Sequence, residues 1–177
     1  MKKIFRFAAI KTITENTLKL LTTEERHSLL LNWWTLDESD AIFFSLSKEL
    51  QNTISNNDEP PKNLEDLLIE ELLLAGLKSS YTGVTNEYLA DQLARLENEA
   101  FYVEGDKESL HACPCCEYHT LLTTSNYEIC DLCNWEDDGT TTPESFSHPN
   151  HMTLSDAKKA FREKSKNLQL NKWAKTS

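Results

Sequence analysis

HACPCCEYHTLLTTSNYEICDLCNWEDDG, residues 111–139, contains all five cysteines of the chain. Four of them form two C-x2-C pairs, Cys113 with Cys116 and Cys130 with Cys133, and 13 residues separate the pairs. In each pair the intervening turn lets two sulfurs converge on one cation. Four thiolates at about 2.3 Å then make a closed tetrahedral site. The gap is a little shorter than the roughly 15–20 residues common in such ribbons. A tight hairpin spans it: 118–123 and 127–130 alternate in polarity around Thr124, Ser125 and Asn126, which reads as two paired strands and a turn. The expected centre is one structural Zn²⁺ per chain on Cys113, Cys116, Cys130 and Cys133. Iron in a rubredoxin-like site is the metal alternative. A thioredoxin-like redox role is weaker, because one redox motif needs no second pair.

Cys115 is the odd cysteine and lies inside the first pair. Two readings stand side by side: a small buried filler, or a reactive thiol whose pKa a neighbouring cation lowers. His111 and His119 flank the same pair, but four cysteines already suffice. His148 and His151, with Glu136, Asp137 or Asp138, are candidates for a second metal, against the plainer reading of a solvated polar loop. The carboxylates at 136–138 are also the nearest approach to paired catalytic acids. Adjacent acidic residues after a knuckle more often cap a turn. No phosphate-binding glycine loop, H-E-x-x-H or G-x-S-x-G occurs. A closed four-thiolate site leaves no coordination position for substrate. The expectation is a protein without catalytic residues.

Upstream, the chain reads as helical. Thr22 and Glu25 form a T-x-x-E capping box, followed by Leu29, Leu30, Trp33 and Trp34 at helical spacing. Asp37 is expected to cap a helix with Phe43, Leu46, Leu50 and Ile54 on one face. SNNDEPPK, 55–62, reads as a loop. Asn63 is expected to cap the next helix, with Leu64, Leu67, Leu68, Leu72 and Ala75 inward and Gly76 near its left-handed end. Residues 79–84 make a turn, and Thr85 opens a helix carrying Leu89, Leu93 and Leu96. Beyond the cysteines, 139–152 is a loop and Thr153 begins a last helix with Leu154, Ala157, Phe161 and Leu168 for packing. The fold class is therefore α+β and mostly α. A helical domain, 1–105, precedes a small zinc-ribbon or rubredoxin-like hairpin domain with a C-terminal helix, 106–177.

The chain of 177 residues carries a formal charge of −11. The charge is segregated: residues 1–20 carry +4, residues 158–177 carry +6, and the stretch between carries −21. An acidic body repels nucleic acid and suits a basic protein partner, or simply solubility. The basic C-terminal helix expected from Lys158 to Lys175 is the one feature that favours nucleic acid. Trp33, Trp34 and Trp135 are candidate anchors for a protein partner. No stretch of about 18 apolar residues spans a membrane. Arg6 and Lys11 interrupt the only run that resembles a leader peptide. A cytoplasmic protein is expected, where reduced cysteines serve metals rather than disulfides.

CPCCEYHTL at 113–121, YEICDLCNWEDDG at 127–139 and the stretch from Pro149 to Ala157 together resemble the bacterial cysteine-rich CPCC domain family. LLTTEERHSLLLNWW at 20–34 and YTGVTNEYL at 81–89 look like the helical extension that precedes this domain in some members. The resemblance implies zinc binding and a compact domain. It says little about activity. Small proteins of this sort are similar to those encoded beside bacterial toxins, which implies a toxin-neutralising immunity protein; an acidic body suits the basic cleft of a nuclease toxin. The family usually has glycine after CPCC, where this chain has Glu117. Glycine suits a left-handed knuckle residue, and Asn134, at the equivalent place after the second pair, tolerates it too.

Overall fold

The computed structural model describes residues 1–64 and 66–176. The chain forms two compact units, Phe7–Thr82 and a second made of Met1–Arg6 with Gly83–Ser177. The division does not follow the 105/106 boundary expected from sequence. The chain starts in the cysteine-containing unit, leaves it at Arg6 and returns at Gly83.

The helical unit contains α1 (Arg6–Leu20, its first residue in the other unit), α2 (Thr23–Trp33), a 3-10 turn at Phe43–Ser45, α3 (Lys48–Asn56) and α4 (Leu67–Ser79). α1 precedes the helices read from sequence. The capping box at the start of α2 is present: Thr22 accepts from the Glu25 N–H, and Glu25 accepts from the Thr22 N–H at 2.8 Å. Leu18, Leu30, Trp34, Phe43, Leu46, Leu50, Ile54, Ile69, Leu72 and Leu73 form the core.

Three expectations are corrected here. Asp37 caps no helix. Its carboxylate accepts from the Ser39 N–H and hydroxyl at 2.7 and 2.6 Å, which closes a local turn. Phe43, Leu46, Leu50 and Ile54 are all buried, but extended backbone at Leu46 breaks the run, and Ser47 caps α3 by accepting from the Leu50 N–H. The cap of α4 is Asp66, not Asn63; its carboxylate accepts from the Leu68 N–H at 2.9 Å. A start at Leu67 rotates the apolar face, so Ile69, Leu72 and Leu73 turn inward and Leu67 is 81% exposed. Gly76 lies inside α4, buried, where a Cβ would come 2.6 Å from Trp33 Nε1. Its value is close approach of an indole rather than a left-handed cap.

In the second unit, β1 (Lys2–Phe5) pairs in parallel with β2 (Phe101–Glu104), with Lys2 opposite Phe101 and Phe5 opposite Glu104. Between them in sequence lies α5 (Asn86–Glu97), capped by Thr85 and stopped by Asn98 at φ 54°. It buries Leu89 and Leu93 and leaves Leu96 41% exposed. Arg6 ties this region together. It is 5% exposed, and its guanidinium donates to Val84 O at 2.7 Å, Asn86 Oδ1 at 3.0 Å and Glu108 Oε2 at 2.7 Å. A buried guanidinium needs such acceptors, since an uncompensated charge is costly to bury.

The cysteine region consists of short antiparallel pairs: β3 (His111–Ala112) with β4 (His119–Leu121), β5 (Glu128–Ile129) with β6 (Glu136–Asp137), and β7 (Phe146–Ser147) with β8 (Met152–Thr153). The expected hairpin between 118–123 and 127–130 is therefore corrected. Each segment pairs with the other arm of its own knuckle. The Glu128 carboxylate joins the two, accepting from the Leu122 and Thr123 N–H groups at 2.8 Å each. Thr153 caps α6 (Leu154–Ser165) as expected. The helix ends at Ser165, so 158–175 is not one basic helix. The tail continues through a 3-10 turn at Leu170–Lys172 to bridges between Val84 and Trp173 and between Tyr118 and Lys175. The architecture is α+β, mostly helical with small hairpins.

Candidate metal centre

The two C-x2-C pairs adopt the same backbone pattern. Cys113 N donates to Tyr118 O and Glu117 N donates to Cys113 O, both at 2.9 Å. Cys130 N donates to Trp135 O and Asn134 N donates to Cys130 O, again at 2.9 Å. The residue after each pair is left-handed: Glu117 at φ 68° and Asn134 at φ 63°. The departure from glycine at 117 thus leaves the knuckle geometry intact. Lys158 and Lys175 approach the Glu117 carboxylate at 3.2 and 3.7 Å. The Lys158 hydrogen bond, then the charges of Lys158 and Lys175, hold that carboxyl below its ordinary pKa.

A left-handed non-glycine residue costs about 1–2 kcal/mol, and exposed ion pairs return about 0–1 kcal/mol. Glu117→Gly is therefore expected to raise stability by up to about 1 kcal/mol. Urea denaturation measures it. A loss of about 1 kcal/mol or more would show that the lysine contacts outweigh the backbone cost.

The knuckles face each other. Cys113 Sγ lies 3.6 Å from Cys133 Sγ, and Cys116 Sγ lies 3.6 Å from Cys130 Sγ. All four sulfurs fall within 4.8 Å of one another. A tetrahedron with metal–sulfur bonds of about 2.3 Å has edges of about 3.8 Å. The donor set and its spacing fit one tetrahedral, thiolate-loving ion. Among the described residues, these four are the group of three or more ligand side chains gathered this closely. Cys113, Cys116 and Cys130 are buried and Cys133 is half-buried.

Thr120 shares a 3.0 Å hydrogen bond with Cys130 Sγ. Hydrogen bonds from Cys113, Cys116 and Cys133, with that from Thr120, pull the Cys130 pKa down. The Cys113 thiol, followed by Cys130 and Cys133, pushes Cys116 up. A divalent cation would allow all four to ionise.

The other candidates serve other ends. His119 donates from Nδ1 to Leu110 O at 2.8 Å, and its Nε2 lies 3.4 Å from Thr176 Oγ1. His111 and His148 are exposed, and His148 meets the Phe146 ring edge-on. Asp137, 3% exposed, accepts from Ser125 N at 2.7 Å, and Asp138 accepts from Thr140 N at 3.0 Å. Asn150 clamps the Glu136 backbone through both its N–H and its C=O. The Asp137 and Asp138 carboxylates thus organise turns, and among the described residues none of the 136–138 carboxylates gathers with His148 and His151 as a ligand group. Cys115 is 5% exposed and outside the four-sulfur group. Trp34 and Trp135 are buried, and Trp34 donates to Asn57 O at 3.0 Å, so neither is a free anchor. Asn150 and Thr120 had no role in the sequence reading; the signal that could have found them is that both lie in the stretches, 149–157 and 113–121, that carry the family resemblance.

Residues 111–167 match the family described as Cysteine-rich CPCC. No curated protein and no solved structure matches the chain. Among the described residues, no helix is long and apolar enough to cross a membrane.

Proposed function

We propose that this chain, whose residues 111–167 are a cysteine-rich CPCC domain, is a non-enzymatic protein that holds one structural Zn²⁺ and binds a basic protein, most specifically a bacterial toxin that it neutralises. The observation that carries the metal part is the near-tetrahedral spacing of Cys113, Cys116, Cys130 and Cys133. Zinc suits four thiolates and needs no redox chemistry. With four cysteine ligands the coordination shell is closed, so the ion supplies folding energy rather than a reactive water. Charge supports the partner reading, since the stretch between residues 20 and 158 carries −21. Opposite charge speeds encounter, and specificity then comes from apolar anchors. The exposed large apolar side chains of the cysteine unit include Leu122, Tyr127, Ile129 and Phe146.

The nucleic-acid alternative loses part of its support. Lys158 and Lys175 are paired with Glu117, and Lys172 sits 4.3 Å from the Trp173 ring. Co-expression with the product of a neighbouring toxin-like gene tests the proposal. Restored growth with co-purification is expected, and association should slow as salt rises. If no neighbouring product is toxic and the purified chain retains RNA or DNA instead, the immunity reading fails.

A further inference from the structure

Residues 122–127, between β4 and β5, form a turn that is fixed from two sides. The Glu128 carboxylate accepts from the Leu122 and Thr123 N–H groups at 2.8 Å each, and from the Thr123 hydroxyl at 3.0 Å. Asp137 accepts from the Ser125 N–H through its carboxylate at 2.7 Å and from the Tyr127 N–H through its carbonyl at 2.8 Å. This held turn and the strand after it present large apolar side chains to solvent. Leu122 and Tyr127 are each 63% exposed, and Ile129, in β5, is 60% exposed. Tyr127 stands at φ 59°. Asn, Asp and His enter the left-handed region several-fold more often than other residues, and a bulky side chain there is an outlier. Among the described residues, Tyr127 is the bulkiest non-glycine residue with a positive φ. Glycine would make the same turn without the steric cost. The fold gains no contact in exchange: among the described residues, the Tyr127 side chain has no hydrogen bond and no ring partner.

We propose that the 122–129 turn is the surface that docks the basic protein, with Tyr127 as its main anchor and Leu122 and Ile129 as further apolar contacts. Charge decides the kind of occupant. Residues 108–157 contain nine Asp and Glu and no Lys or Arg. Glu128 and Asp131 flank Ile129 in sequence, and Glu136 is its cross-strand partner. Exposed apolar groups among carboxylates fit a protein surface that sets an apolar side chain among lysines and arginines. Burial of the apolar groups supplies affinity, and opposite charge supplies fast encounter and register. The hydrogen bonds of Glu128 and Asp137 order the anchor before the partner arrives, which lowers the entropy cost of binding. The left-handed tyrosine is then strain kept for binding rather than for folding. The inference rests on the reading of a basic protein partner, and it names where that partner sits.

The test uses the full-length protein and labelled peptides that share a leucine–tryptophan centre and differ in their flanks, which are lysines, serines or glutamates. Fluorescence anisotropy measures affinity, and urea denaturation of the same samples measures stability. The parent should bind the lysine-flanked peptide best, and less tightly as salt rises. Tyr127→Gly should weaken that binding by about tenfold or more and raise the urea midpoint, since the backbone strain is removed. Ile129→Ser should weaken binding with the midpoint nearly unchanged. Leu67→Ala, an exposed apolar change in the helical unit, should bind as the parent does. Failure of the parent to bind the lysine-flanked peptide, full affinity in Tyr127→Gly, or a lower urea midpoint in that variant overturns the proposal. The toxin assignment fails separately. If no neighbouring product is toxic and Tyr127 still governs peptide binding, that assignment falls and the docking surface stands. If Tyr127→Gly neutralises a toxin as well as the parent does, the docking surface falls and the toxin assignment stands.

Discussion

Cys130→Ser is expected to abolish stoichiometric metal binding and to unfold the cysteine unit while the helices of Phe7–Thr82 persist. Cys130 is fully buried, lies 3.6 Å from Cys116 Sγ and takes the Thr120 hydrogen bond. Structural zinc supplies on the order of 10–16 kcal/mol of apparent binding energy in small finger peptides, against a total stability of about 5–15 kcal/mol for an ordinary domain. The core around it includes Tyr118, Leu121, Leu132, Trp135, Leu154 and Trp173. Those residues pack against the cysteines themselves, so loss of the ion removes the centre of that core. Elemental analysis gives the metal content. Circular dichroism should show loss of α5 and α6 with retention of most helix in the other unit. Stoichiometric metal in the variant, or an unchanged thermal transition in excess chelator, would refute the assignment.

Leu72→Ala is expected to cost about 2–5 kcal/mol and to unfold the helical unit at markedly lower urea. Leu67→Ala, only five positions earlier on the same helix, should change stability by about 0.5 kcal/mol or less. The side chains are chemically identical. Leu72 is fully buried among Leu30, Leu50 and Ile69, and Leu67 is 81% exposed. Equilibrium urea denaturation of both variants decides it. Equal losses would mean that α4 begins upstream of Asp66.

What was legible in the sequence is what local chemistry decides. Two C-x2-C turns close by their own backbone bonds, so the four sulfurs could be named before their positions were known. Thr22, Thr85 and Thr153 act as caps because each accepts from an N–H three residues on. Asn63 failed as a cap because two polar residues close together in sequence, Asn63 and Asp66, offered rival starts for α4. The cap lies three positions later than expected, and Leu67 is on the surface. Alternating polarity marked 118–123 and 127–130 as extended but carried no information about partners. Nothing within a local window points from Lys2 to Phe101. Four residues with two lysines make a weak strand signal, and the pairing is set by the packing around Arg6, Val84 and α5.

That pairing gives synthesis on the ribosome a definite order. β1 emerges before its partner, and the strand it needs is made almost a hundred residues later. At about 5–20 residues per second, the delay is on the order of five to twenty seconds. Helix-rich units with local contacts fold in microseconds to milliseconds. Phe7–Thr82 therefore has time to fold while Lys2–Phe5 is still unpaired. Once it has folded, the flexible segment left to close is much shorter than the sequence separation suggests, which lowers the entropy of bringing Lys2 to Phe101. The inner unit thus matures before the frame that surrounds it in sequence, and Lys2–Phe5, made well before Phe101–Glu104, are among the later segments to find their place.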